Sequence, residues 1–194
     1  MLSKGLGVQE NESFERWLVA QDSGRTIRNE TMHPSPGLEG LRMVDIKFAG
    51  ALANLRAITE DYIKVPFAEC FNWDQVSQGL DLSDEGDWFV VVFRSIRSSA
   101  ADSDKLYMAD KLAHEEAKRS GGLLKYWYGD LNEHRECLAT CIWANYQFAR
   151  MAIVKPHHKL AQSLASTMYD SYLLERLSIQ KKRGDPHLYI SNLS

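Results

Sequence analysis

Long apolar runs, an excess of positive charge and paired cysteine motifs are all missing from this chain, and each absence closes off a class of protein. No apolar stretch approaches the roughly 20 residues needed to span a bilayer. Lys and Arg number 23 against 26 Asp and Glu, so the net charge of −3 offers no electrostatic case for binding nucleic acid or an anionic membrane. Three cysteines, Cys70, Cys137 and Cys141, cannot form a disulfide framework. The start, Met-Leu-Ser-Lys-Gly-Leu-Gly, has one Lys and no apolar core, so no secretory signal is expected and the cytoplasm is the expected compartment. There is no Gly-rich phosphate loop, no G-x-S-x-G elbow, no H-E-x-x-H, no internal repeat and no low-complexity tract.

What is there is a chain of ordinary globular composition, 44% hydrophobic and 25% charged, long enough at 194 residues to bury a core unaided. Its C-terminal half has a legible rhythm. Trp88–Arg94 alternates two mainly apolar sets, Trp88, Val90, Val92, Arg94 and Ile96 against Phe89, Val91, Phe93 and Ser95, as a strand covered on both faces does. Residues 106–120 repeat at helical spacing, with Leu106, Ala109, Ala113 and Ala117 on one stripe and Tyr107, Asp110 and His114 on the next. Ser120-Gly121-Gly122 stops that helix. Leu123–Tyr128 and Cys137–Trp143 follow as a strand pair, the first placing Leu124, Tyr126 and Tyr128 on one side and Leu123, Lys125 and Trp127 on the other. A helical stretch over 146–169 is divided by Pro156, which suits a first helical turn. Leu173–Gln180 closes the unit. The order strand, helix, strand, strand, helix, strand predicts an α+β, ferredoxin-like βαββαβ fold: a four-stranded antiparallel sheet with two helices on one face, plus an N-terminal extension.

Upstream the signals are weaker. Residues 1–13 are polar. A hairpin over 14–32 is predicted around Gln21-Asp22-Ser23-Gly24, and His33-Pro34-Ser35-Pro36-Gly37 reads as a loop. Met43–Phe48 alternates and is predicted as a strand. Ala49–Lys64 is predicted as a helix stopped by Pro66, and residues 71–80 as a short helix or turn. The expected divisions are an extension over 1–40, the α+β domain over 41–182 with this leading strand and helix, and a tail over 183–194. The sheet face without helices must be buried by residues before 88, by a second copy in a homodimer, or by both.

Several strings resemble an uncharacterised family of small fungal proteins. They are Asp61-Tyr62 through Phe71-Asn72-Trp73-Asp74, Phe89-Val90-Val91-Val92-Phe93-Arg94-Ser95, and Ala113-His114-Glu115-Glu116-Ala117. The long, specific ones are Gly121-Gly122-Leu123-Leu124-Lys125-Tyr126-Trp127-Tyr128-Gly129 and Leu138-Ala139-Thr140-Cys141-Ile142-Trp143, followed by Pro156-His157-His158-Lys159. The likeness covers roughly residues 42–182. It departs at His157, where the family typically carries Trp, and at Ala144-Asn145, where it typically carries Arg-Ser, which implies a specialised relative recruited to a biosynthetic pathway. The resemblance extends to the wider ferredoxin-like dimeric α/β-barrel group, which includes cofactor-free monooxygenases, cyclases, isomerases, lyases and haem-handling enzymes. It implies a fold, with a homodimer as one way to cover the bare sheet face, and no catalytic residue.

The residues themselves suggest acid–base chemistry. His158 opens a helix, where the dipole favours a neutral imidazole that can act as general base, or where it simply caps. His157 shares a stripe with Ala161, Leu164 and Met168 and is either a substrate contact or a core histidine. His114 has Asp110 one turn before it, a carboxylate that could orient its ring or merely share a solvated face with it. Tyr126 and Tyr128 could polarise a substrate oxygen, while Trp127 and Trp143 could wall an aromatic substrate or only pack strands. Arg94 inside an apolar strand either holds an anionic group or pairs with Glu175 or Asp45. Cys137 and Cys141 share a strand face with Ala139 between them and read as buried thiols, since no second pair exists for zinc. The expectation is a cofactor-independent enzyme of biosynthesis, a cyclase, isomerase or lyase, acting on an apolar or aromatic small molecule. The alternatives are an oxygenase, cofactor-free or haem-dependent, and a non-catalytic binding module. No cofactor or metal is called for.

Overall fold

The computed structural model describes residues 40–193; the hairpin expected over 14–32 and the loop over 33–37 lie outside them. Within the described residues the elements are α1 (Met43–Ala51), a 3₁₀ turn (Leu52–Asn54), α2 (Phe67–Cys70), α3 (Trp73–Ser77), β1 (Gly86–Arg97), α4 (Ser103–Ser120), β2 (Leu123–Tyr128), β3 (Glu136–Trp143), α5 (Tyr146–Ile153), α6 (Pro156–Met168), β4 (Tyr169–Lys181) and β5 (Leu188–Asn192). The sheet runs β2-β3-β1-β4-β5, all neighbours antiparallel. Its first four strands have the ferredoxin-like order. The stretch expected as a tail adds a fifth, β5, along the outer edge of β4.

Each strand of the core does what its alternation implies. Phe89 lies opposite Trp143, Val91 opposite Cys141, Phe93 opposite Ala139 and Ser95 opposite Cys137, so these residues share the helix face. Val90, Val92, Leu138, Ile142 and Ile179 share the other face and are completely buried. The chain covers this second face itself. Phe48, Leu52, Leu55, Phe67, Phe71, Trp73 and Val76 pack onto it with Trp88, so part of the segment before β1 takes the place that a partner sheet would otherwise fill.

That segment corrects two expectations. Met43–Phe48 is the start of helix α1, not a strand. Its inward residues are Asp45, Phe48 and Leu52, a helical spacing concealed because the first of them is charged. Asp45 is tolerated there because its carboxylate is saturated. It accepts from the Arg42 backbone at 2.9 Å, from the Arg42 guanidinium at 2.6 and 3.0 Å, and from Trp88 Nε1 at 2.9 Å. Phe48 stacks on the Trp88 ring at 3.9 Å. The helix expected over 49–64 ends at Ala51. Beyond the 3₁₀ turn the Asn72 side chain accepts from Arg56 N at 2.9 Å and donates to the Asn54 carbonyl at 3.1 Å, meeting backbone groups that a longer helix would have paired internally.

The strand alternation at β2 also needs correcting. A bulge between Leu123 and Lys125 puts Leu123 on the helix face and Leu124 on the covered face, the reverse of strict alternation, and Tyr126 and Tyr128 resume the helix face after it. Gly121 and Gly122, with φ of +82° and +74°, turn the chain from α4 into this strand.

Candidate functional site

The two faces of the sheet differ in their contact with water. The centre of the covered face, at Val90, Val92, Leu138, Ile142 and Ile179, is fully buried, whereas the middle of the helix face is only half-buried although α4 and α6 lie over it. At one end Phe89, Trp143, Ala117 and Ala152 seal the layer with help from Phe148. From Val91 onward this face carries the small groups Val91, Ser95, Cys137, Ala139 and Cys141 around one large ring, Phe93, all partly accessible. This partly accessible strip of the sheet, bordered by tyrosines, is the candidate cleft.

Tyr126 is at its centre. Its hydroxyl donates to Asp110 Oδ1 at 2.7 Å. The His114 ring lies 4.8 Å from the Tyr126 ring, and the Tyr128 ring 5.6 Å from it on the other side. The α4 stripe Tyr107, Asp110 and His114 therefore faces the sheet, not solvent. Burial raises the Asp110 carboxyl from its usual value of 3.8, against the opposing pull of the Tyr126 bond and the field of His158. Burial, then the Lys118 charge, lowers His114 to about 4, so its imidazole is neutral near pH 7. Burial next to Asp110 holds the Tyr126 phenol protonated. Two further tyrosines, Tyr169 and Tyr172, flank the cleft with rings 5.2 Å apart, and Tyr172 approaches Phe93 at 6.1 Å. Both were missed in the sequence. Extending the helical reading to residue 169 placed Tyr169 on a helix, whereas it opens β4.

Other candidates lie elsewhere. His158 Nδ1 is 2.9 Å from Glu116 Oε2, and the backbone N–H groups of His158 and His157 donate to the same carboxylate at 3.1 and 3.4 Å. Glu116, a residue of α4, thus caps α6, and the His158 side chain is part of that cap. His157 is half-buried on the stripe that carries Ala161 and Leu164. Trp143 seals the closed end of the cleft. Trp127 belongs to the covered face, edge-on to Phe71 at 4.7 Å and to Tyr62 at 5.4 Å, and cannot wall the cleft. Arg94 is also on the covered face. Its guanidinium binds Glu175 at 2.5 Å, the Val65 carbonyl at 2.8 Å, and the carbonyls of Tyr62 and Ile63. Arg94 is thereby an anchor for residues 62–65, not a ligand for a substrate in this cleft, and Asp45 serves Arg42 instead. Cys137 and Cys141 are free thiols on the cleft floor, and the described residues contain no cluster suited to a metal ion. No helix among them is long and apolar enough to cross a membrane.

Two open surface depressions, of about 470 and 350 Å³, lie away from this cluster. The first is lined by Ala53–Arg56 and Gln75, the second by parts of residues 74–82 with Pro186 and His187. Neither contains a candidate named above.

The PB2B2.08-like family model matches residues 30–191. The chain belongs to that family. A curated relative, UPF0643 protein PB2B2.08 of Schizosaccharomyces pombe (strain 972 / ATCC 24843), is 25% identical over 207 residues and covers 93% of each chain. Among solved structures, the chain is similar to a candidate monooxygenase from Lactobacillus acidophilus NCFM, with 14% identity and a TM-score of 0.43 over 54% of this chain and 50% of that one. A dimeric ferredoxin-like protein from Thermobifida fusca YX gives 12% identity and 0.38 over 47% and 90%. A mutant of SnoaB, a cofactor-independent oxygenase from Streptomyces nogalater, gives 9% identity and 0.38 over 46% and 89%. At such overlap none of the three bears on the chemistry of this chain.

Proposed function

We propose that this PB2B2.08-like protein is a small-molecule enzyme that moves a proton next to a carbonyl in an apolar or aromatic substrate held between the helices and the sheet. The observation that carries the reading is the Tyr126–Asp110 hydrogen bond with a neutral His114 ring against it. A carboxyl with raised pKa is a better base near neutrality than an ordinary one. In this reading Asp110 takes the proton from the substrate carbon. The electron pair of that C–H bond moves to the carbonyl oxygen, and the neutral His114 N–H donates to the enolate that develops. An imidazole kept neutral by its surroundings suits that role, because it can donate without first losing charge. Tyr126 holds Asp110 in place, and Tyr128, Tyr169 and Tyr172 supply aromatic walls. Return of the proton at another carbon makes the reaction an isomerisation. Loss of a leaving group makes it an elimination, and attack by the enolate carbon makes it a cyclisation.

His158, the sequence candidate for moving the proton, has Nδ1 and its backbone N–H committed to Glu116. In this reading it fastens α6 to α4 and takes no part in the proton transfer. The test is exchange of α-protons for deuterium in a panel of aryl ketones, followed by NMR with and without protein. Wild type should accelerate exchange for at least one member, and Asp110→Asn should abolish that acceleration. Exchange that is unchanged by wild type throughout the panel, or equal in the variant, would refute the reading.

A further inference from the structure

We infer that Arg97 is the anion-recognition residue of the cleft, and that the substrate class is an aromatic molecule carrying a carboxylate. The inference rests on the cleft being the site. Arg97 ends β1 on the helix face, three residues beyond Arg94 and therefore on the opposite side of the sheet. Its Nη1 donates to two neutral groups on α4, the Tyr107 hydroxyl at 3.0 Å and the Ser103 hydroxyl at 3.3 Å, and its guanidinium lies 4.8 Å from the centre of the Tyr107 ring. Its Nε is fully buried and makes no hydrogen bond among the described residues. Nor does any carboxylate among them pair with it, whereas Arg94 has Glu175 and Arg135 has Asp170.

A half-buried guanidinium without a counter-ion, and with an orphaned donor, is a costly arrangement unless something anionic completes it. Its neighbours identify the space it would complete. The Arg97 charge acts on Cys137 and Tyr169, offsetting part of the rise that burial imposes on each. Both border the cleft. A carboxylate bound by Arg97 would place an attached aromatic ring among the cleft tyrosines, toward Tyr126 and Asp110. A planar fork suits a carboxylate better than a lysine would.

The test compares two probes of one shape, 2-naphthoate and the uncharged 2-naphthol, titrated at pH 7 with intrinsic fluorescence as the readout. Wild type should bind 2-naphthoate about tenfold or more tightly than 2-naphthol, the scale of one hydrogen bond to a charged group. Arg97→Gln should remove that preference while leaving 2-naphthol within about twofold, which also reports that the variant is folded. Arg97→Lys should retain a reduced preference, and keeps the test available if the Gln variant does not fold. Equal binding of the two probes by wild type, or equal weakening of both by Arg97→Gln, overturns the role of Arg97. The cleft reading then survives if Ala139→Trp, which fills the floor, abolishes 2-naphthol binding. Failure of wild type to bind either probe overturns the cleft and the Arg97 assignment together.

Discussion

Glu116 and His158 fasten the two long helices to each other. One carboxylate on α4 receives the His158 ring, the His158 backbone N–H and the His157 backbone N–H, all at the first turn of α6. Its side chain is only 10% exposed, so few water molecules compete for it. Burial alone would raise the carboxyl, but the three donors outweigh it and hold Glu116 below its usual 4.5. Replacing Glu116 by Ala should cost about 2 kcal/mol, a helix cap together with a charge-assisted bond. Since the folded-state value is depressed, this contribution is present above the unfolded value and lost as pH falls through the folded one. Urea unfolding at pH 7 should therefore separate wild type from Glu116→Ala, and the gap should close as pH is lowered through the folded-state value. A pH-independent gap would mean that Glu116 contributes packing and no cap.

Asp110 should behave in the opposite sense. Its folded-state value is raised, chiefly by burial, so its contribution to stability is fully present below the ordinary 3.8 and declines as pH rises through the folded value. Asp110→Asn keeps an acceptor for Tyr126 and removes the charge. The variant should be more stable than wild type at pH 8 and equal to it near pH 3, while losing any exchange activity. Gain of stability with loss of activity is the usual signature of a destabilised functional group. A variant less stable than wild type at pH 8 would show that the carboxylate is well accommodated and is no proton-transfer group.

How far these features were legible depended on which physical signal each one leaves in a sequence. β1, β2, β3 and β4 announce themselves through alternation, because the sheet is packed on both faces and period two is enforced along Trp88–Arg94. The Gly121-Gly122 stop was readable for the same reason: positive φ strongly favours glycine. Helix α1 was not legible, because its inward stripe includes Asp45, a charge that only a distant Trp88 and its neighbour Arg42 make tolerable. The swap of Leu123 and Leu124 comes from a bulge, which no alternation rule contains. At the site, His114, Tyr126 and Tyr128 were found by residue type and they do converge. Arg94 pairs with Glu175, one of the two partners its place in an apolar strand suggested, on the covered face. Arg97, three positions along the same strand, meets α4 on the helix face, because an odd shift on a strand inverts the side it serves.

Arg94 is the means by which the covering segment is held to the sheet. It binds Glu175 on β4 and the carbonyls of Tyr62, Ile63 and Val65, and its side chain is 16% exposed. Arg94→Met should cost about 3 kcal/mol, since it strands the Glu175 carboxylate and the carbonyls at once. The double change Arg94→Met with Glu175→Met should cost less than the single one, because no uncompensated charge remains. Urea midpoints for wild type, both single variants and the double variant would complete the cycle. Amide exchange over 58–66 should accelerate in Arg94→Met, while 2-naphthol binding in the cleft stays unchanged. A double variant less stable than Arg94→Met would show that the guanidinium matters mainly through its packing and carbonyl bonds.

The cleft floor makes a separate prediction through its thiols. Burial pushes Cys137 up to about 11 despite the Arg97 charge and pushes Cys141 higher still, next to Asp110. Cys70, within the covering segment, is also raised by burial. The thiolate is the reactive form, so at pH 8 Cys137 holds about a hundredfold less of it than an ordinary thiol. Iodoacetamide should therefore label the native protein slowly at all three positions and rapidly in 6 M guanidinium chloride. Because Cys137 and Cys141 are partly accessible on the floor while Cys70 is buried outright, the two floor thiols should be labelled first, and a saturating aromatic carboxylate should slow those two without affecting Cys70. If Cys70 reacts first, or if ligand protects all three alike, labelling is following global opening of the fold, and the floor of the cleft is not reachable from solvent in the native state.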